Sequence, residues 1–129
     1  MKLLIDDARL DEIKKIYEFY PVAGVTTNPT ILSKIGGNPF DTLRKIRDLI
    51  GEEADLHVQA VSLRAEQIAD EARHIVKILG ANTYIKIPAV PEGFKAMKIL
   101  VESSEILITA TAIYTPMQAF IRSEEHTSE

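Results

Sequence analysis

The stretch from Asn82 to Val90, NTYIKIPAV, places a lysine in the middle of an apolar run that otherwise reads as a buried strand. Side chains alternate along a strand, so Ile85 and Ile87 share one face and Tyr84 and Lys86 the other. Ile85 and Ile87 suit a surface packed under helices, which leaves Tyr84 and Lys86 pointing to the opposite, inner side. An ammonium group there either snorkels to water at the strand end or belongs to a site, because burying an unpaired charge is costly.

Outward from this strand, short runs rich in leucine, isoleucine and valine alternate with longer amphipathic segments about every 25 residues, as strand–helix units do. KLLI and VAGVT come first, LHVQAV (Leu56 to Val61) precedes the opening stretch, and ILITATAIY (Ile106 to Tyr114) follows it. Between them, Leu10, Ile13, Ile16 and Tyr17 fall on one helical face, as do Phe40, Leu43, Ile46 and Ile50, and then Ile68, Ala72, Ile75 and Leu79. TNPTILSKIGG reads as a turn and a short helix. Gly51 and Gly80 are placed to stop two of the longer helices, and Ser62 is placed as an N-cap. A further helix is expected from about Glu92 to Glu102, and Thr115 and Pro116 open another. Strands alternating with helices predict a parallel sheet with right-handed crossovers, either open and doubly wound or closed as a barrel.

Composition narrows the function. The 129 residues carry 19 acidic and 15 basic side chains, a net charge of −4, with no basic run to meet a nucleic acid or an anionic membrane. There is no cysteine, hence no disulfide or thiolate chemistry, and the chain enters a strand pattern at once without a signal peptide, so the cytoplasm is the expected location. His57, His74 and His126 lack the paired spacing of a zinc site, and no metal or other cofactor is expected.

The remaining polar residues gather on the inner phase of the strands. Asp6 ends the first strand, Gln59 is out of phase with Val58 and Ala60, and Thr109 and Thr111 oppose Ile108 and Ala110. In a barrel these positions converge on the C-terminal end, where catalytic side chains sit. Burial lowers the pKa of a lysine, and the neutral amine attacks a ketone to form an imine whose protonated form accepts electrons from a breaking carbon–carbon bond. Such chemistry needs a carboxylate to move a proton at the substrate hydroxyl and polar groups to hold water, roles that Asp6, Gln59 and Thr111 can fill. The plainer reading of Asp6 is a cap on the next helix. GVTTNPT, Gly24 to Thr30, reads locally as a turn in which Pro29 excludes helix at Asn28, and it also places Thr26 and Asn28 at the same mouth, suited to a polyol.

LLIDDARLDEI, GVTTNPTIL, LHVQAVS, YIKIPAVPEGFKAMKIL and TATAIYTPMQAF together resemble the transaldolase and fructose-6-phosphate aldolase family, from Met1 to about Ile121. The resemblance implies a (β/α)8 barrel of which this chain carries about the first five units. It implies a class I aldolase mechanism on sugar phosphates, with Lys86 as the Schiff-base lysine and Asp6 as the acid/base carboxylate. Gln59 and Thr111 look like the residues that hold the catalytic water, and Thr26 and Asn28 like substrate-binding positions. Gln59 tilts the choice toward fructose-6-phosphate aldolase cleavage, since transaldolases tend to carry glutamate there. Family members of this size class are usually homo-oligomers. Asp7 stands where threonine is common, and a second carboxylate beside Asp6 is expected to raise its pKa. The family's phosphate-binding serine and arginine belong to later strands, so no phosphate site is assigned here.

Two readings compete with this one. A phospho-acceptor receiver domain of five strand–helix units suits the length and the paired Asp6 and Asp7, but it needs an aspartate ending the third strand and a lysine after the fifth, not on the fourth. A non-catalytic barrel relic is the other. The tail RSEEHTSE, Arg122 to Glu129, has no apolar position to continue the helix begun by Met117, Phe120 and Ile121. Its letters also match the translation of a widely used sequencing-adapter oligonucleotide, so residues 122–129 are expected to be non-native and residues 1–121 to be the N-terminal part of one barrel domain. With five strands unable to close a barrel, Lys86 in this chain alone is expected to be hydrated and inactive.

Overall fold

The strand expected around Lys86 is β4, Thr83–Pro88, and it lies second from one edge of a sheet whose other strands are β1 (Leu3–Asp6), β2 (Val22–Thr26), β3 (Asp55–Gln59) and β5 (Leu107–Thr111). These come from a computed structural model that describes residues 2–111, the last of them by its backbone alone. The expected helix at Thr115 and Pro116, residues 122–129 and His126 lie outside the described residues. All neighbouring strands are parallel and their spatial order is the chain order, β1-β2-β3-β4-β5. A receiver-type doubly wound sheet reverses direction at a switch point, which this order never does. It is the order of the opening units of a (β/α)8 barrel.

Sequence chemistry sets the helix ends. In α3 (Pro39–Ile50) the Asn38 side chain accepts from the Phe40 N–H at 2.8 Å, Pro39 needs no partner for a missing N–H, and Gly51 ends the helix at φ 88°. In α4 (Ala65–Leu79) Ile68, Ala72, Ile75 and Leu79 are all buried, and Gly80 at φ 101° ends it. Ser62 is not the N-cap. That position falls to Arg64, whose side chain makes no capping bond. The amides of Val61 and Ser62 are instead drawn onto the Glu71 carboxylate at 2.9–3.0 Å, which holds the loop down against α4 and delays the helix start.

One face of the sheet is closed by α1 (Leu10–Phe19), α3, α4 and α5 (Pro91–Ser103), and against it pack Ile5, Val25, Leu56, Val58, Ile85 and Ile87, all buried. Each such side chain contributes about 1.5–3 kcal/mol on leaving water. Close packing has left two marks in the sequence. A Cβ on Gly24 would stand 2.1 Å from the Asp55 carbonyl oxygen, and one on Gly93 would stand 1.8 Å from that of Pro88. Hydrogen there lets β2 lie close to the start of β3 and lets α5 settle on the end of β4.

At the N-terminal ends of β3 and β4, Arg47 of α3 is only 8% exposed. Its guanidinium donates to the carbonyls of Leu79 (2.7 Å), Gly51 (2.8 Å), Ala54 (2.6 Å) and Asn82 (3.1 Å) and to the Thr83 hydroxyl (3.3 Å). All its N–H donors are met by neutral oxygens, among them carbonyls at the ends of α3 and α4, where helix dipoles favour a cation.

Candidate active site

The opposite face of the sheet carries the polar set. Strand pairing places Asp6 beside Thr26, Thr26 beside His57, and His57 beside Tyr84; two residues further along, Gln59, Lys86 and Thr109 form the next row. Thr111 pairs with Pro88, beyond the row of Lys86. The lysine is half-buried, and its Nζ donates to the main-chain carbonyl of Thr27 at 3.0 Å. Burial pushes its pKa below the ordinary 10.5, and the Asp6 carboxylate opposes part of that shift. Where hydration of Lys86 is expected for five strands, the side chain is half-exposed. Groups on its own face of the sheet, the Thr27 carbonyl among them, withdraw part of it from water.

Asp6 does not cap α1. Its Oδ1 accepts from the Thr26 hydroxyl at 2.8 Å, so the expected acid/base carboxylate and one expected substrate-binding residue are held together. Asp7 makes the turn instead: Oδ1 accepts from the N–H groups of Ala8 (2.8 Å) and Arg9 (3.0 Å), and Oδ2 pairs with the Arg9 guanidinium at 2.8 Å. The Arg9 side chain holds the Asp7 carboxyl below the usual carboxylate range, so Asp7 is committed to a turn and an ion pair. Asn28 is the N-cap of α2 (Pro29–Ile35), its side-chain oxygen accepting from the Ile31 N–H at 2.9 Å. That leaves the amide NH2 as the part of Asn28 suited to a ligand.

Two participants were not legible from residue type. Thr27 is fully buried, and its hydroxyl and N–H both donate to the His57 carbonyl, at 2.8 and 3.0 Å. The His57 ring stacks flat on Tyr84, centroids 4.6 Å apart and planes within 5°, and forms a floor one row below Gln59 and Lys86. Burial and the nearby Lys86 charge lower the His57 pKa. The alternation of LHVQAV with NTYIKIP put His57 and Tyr84 on the inner phase; the repeated threonine of TTNP was the only trace of Thr27.

A hollow of about 770 Å³ lies elsewhere, around Arg47, Glu52, Lys77 and Asn82 at the N-terminal ends of the strands. Its arginine has no donor to spare, so the reactive group is sought at Lys86. Among the described residues no three His, Cys, Asp or Glu side chains gather as a metal site requires, and no helix is long and apolar enough to cross a membrane.

Parallel strands in chain order, with helices on one face and a half-buried lysine and a carboxylate on the other, define an α/β protein. The sequence matches the family described as Transaldolase/Fructose-6-phosphate aldolase over residues 3–124, and the chain belongs to that family. It is 42% identical over 125 residues to a probable fructose-6-phosphate aldolase of Streptococcus pneumoniae, covering 96% of this chain and 56% of that one. It is 41% identical over 126 residues to a probable transaldolase of Dictyoglomus turgidum (94% of this chain, 55% of that one) and 39% over 125 residues to one of Aquifex aeolicus (96% and 55%). The chain thus spans about half the length of these relatives.

Proposed function

We propose that the protein is a class I aldolase that cleaves a ketose phosphate through an imine on Lys86, with fructose 6-phosphate giving dihydroxyacetone and glyceraldehyde 3-phosphate. The observation that carries this reading is Lys86 itself: a half-buried amine with a depressed pKa, in electrostatic reach of Asp6 and next to Gln59 on the inner face. Neutral Lys86 attacks the ketone carbon, and loss of water leaves a protonated imine. Asp6, oriented by Thr26, takes the proton from the C4 hydroxyl as the C3–C4 bond breaks; its electrons pass into the imine to give an enamine, and the aldehyde departs. Protonation of the enamine and attack by a water held by Gln59 and Thr111 release dihydroxyacetone and restore the amine. Thr26 and the Asn28 amide bind the polyol. The enzyme works in the cytoplasm as a homo-oligomer.

Transaldolase transfer is the second reading, favoured by the names of several relatives. The neutral amide of Gln59 supports the aldolase choice, because it leaves the imine free to hydrolyse without a sugar acceptor. Borohydride added to the full-length protein with fructose 6-phosphate is expected to fix a three-carbon unit on Lys86, read by peptide mass mapping. Labelling at another lysine, or none, sinks the assignment. Turnover that appears only when erythrose 4-phosphate is supplied reverses the choice between the two reactions. Residues 1–129 expressed alone are expected to give no turnover, since in the described sheet β1 and β5 each pair on one side only.

A further inference from the structure

We infer that Thr27 is the positioning residue of Lys86, steadying the amine through its own main-chain carbonyl; the inference rests on Lys86 being the imine-forming residue. Thr27 follows β2 directly and is 0% exposed. Its hydroxyl and its N–H converge on a single acceptor, the His57 carbonyl of β3, at 2.8 and 3.0 Å. The next residue, Asn28, is fixed as well: its side chain accepts from Ile31 and its carbonyl accepts from the Leu32 N–H at 3.1 Å. The peptide joining Thr27 to Asn28 is therefore held at both ends, and its carbonyl oxygen receives Lys86 Nζ at 3.0 Å. A carbonyl tied to β3 and to the start of α2 is a stationary acceptor for an amine on β4.

Lysine needs such an acceptor because its four-carbon stem is flexible and its amine is otherwise a freely turning group. A neutral amine has two hydrogens and one lone pair. With one N–H on the Thr27 oxygen, the lone pair is confined to directions away from β2. When the nitrogen adds to a ketone, the substrate oxygen leaves as water, taking one hydrogen from the nitrogen and one from an acid. The nitrogen of the protonated imine keeps its other hydrogen. One oxygen can thus accept from the nitrogen before attack, after addition and in the imine, holding the imine plane constant while the carbon–carbon bond breaks. A threonine that only filled space would not need both its hydroxyl and its N–H on the oxygen of the neighbouring strand.

The test compares the full-length wild type with Thr27→Val and Thr27→Ser, following borohydride trapping on Lys86 as dihydroxyacetone is raised. Valine keeps the shape and the main-chain N–H but loses the hydroxyl. The saturating trapping rate of Thr27→Val is expected to fall about fivefold, the equivalent of one lost hydrogen bond. Its half-saturating concentration should stay within about twofold of wild type, as for a loss felt after binding. Thr27→Ser is expected to trap at the wild-type rate. An unchanged valine variant, or equal losses in valine and serine, overturns the inference. A second measurement needs neither a Thr27 variant nor chemistry: with carbonyl-13C threonine, the Thr27 resonance is expected to move as Lys86 titrates in the wild type and to stay still in Lys86→Met. A Thr27 carbonyl blind to Lys86 overturns the inference even if Thr27→Val fails to fold. A responsive carbonyl without any trapping on Lys86 removes the imine assignment alone.

Discussion

Arg47 and Lys86 are both cations withdrawn from water around the same two strands, yet their surroundings suit them to opposite purposes. Arg47, at the N-terminal ends of β3 and β4, meets five oxygen acceptors; Lys86, toward the other ends, has the Thr27 carbonyl and the more distant pull of Asp6. Burial lowers the pKa of each. Arginine starts so high that it stays charged, and its delocalised charge is spread over five hydrogen bonds. Lysine starts lower and is left under-supplied, which frees its lone pair. A buried cation with every donor met fastens a fold; one with donors to spare is a reagent.

The largest effect should come from breaking the fastened one. Arg47→Met would take one donor from each of four carbonyls and a hydroxyl, the Asn82 carbonyl keeping the Leu56 N–H, and a loss of about 3–5 kcal/mol in urea unfolding is expected, as for a buried charged network deprived of one member. Lys86→Met is the counterpart: the desolvation cost disappears with the amine, so stability should hold or rise while imine formation is lost. Equal destabilisation by both variants would erase the distinction.

A second test uses pH and sits beside Lys86. Burial and the Lys86 charge hold the His57 imidazole below its ordinary 6.5. As pH falls through 6.5 the unfolded chain therefore takes up this proton before the folded one does. Stability is full above that value and declines below it until the folded imidazole protonates too. His57→Phe keeps a ring against Tyr84 and should flatten that decline, measured by urea unfolding at a series of pH values. The Asp7 contribution, held by Arg9, is lost in a separate, more acidic window below 3.8.

The Lys86 half of this contrast is legible in the sequence. Period-two alternation placed Lys86, Gln59, Tyr84 and Asp6 on one phase and the buried isoleucines and valines on the other, because a half-buried strand writes its faces into its sequence. Glycine marked the ends of α3 and α4, where a positive φ favours it. What was illegible depends on partners distant in sequence. Nothing local to Arg47 on an amphipathic helix announces that carbonyls from two helix ends and two strand starts will surround it. Ser62 looked like a cap because its residue type is right; Glu71, nine positions on, took its amide. Asp6 and Asp7 are chemically alike, and it is Thr26, twenty positions on, that holds Asp6 on the face of Lys86 while Arg9 keeps Asp7 in its turn.

Glu71 supplies the smallest of the expected effects. Glu71→Gln keeps the shape but weakens a charge-assisted grip on the Val61 and Ser62 amides, at a cost of about 1 kcal/mol. Amide hydrogen exchange at those two residues should quicken while that of Thr83 to Ile87 stays as it was. Faster exchange across β4 as well would mean that the loop after Gln59 and the row of Lys86 open as one unit.

The order of the strands also governs how the site comes into being. Every described strand pairs with the one made just before or after it, so each unit can dock on the edge of its predecessor as it leaves the ribosome, without waiting for a partner still to be translated. Asp6, Thr26, Thr27, His57 and Gln59 all precede Lys86 in the chain. The receiving carbonyl and the neighbouring carboxylate are thus translated first, and the amine is delivered into surroundings that earlier units have already laid down.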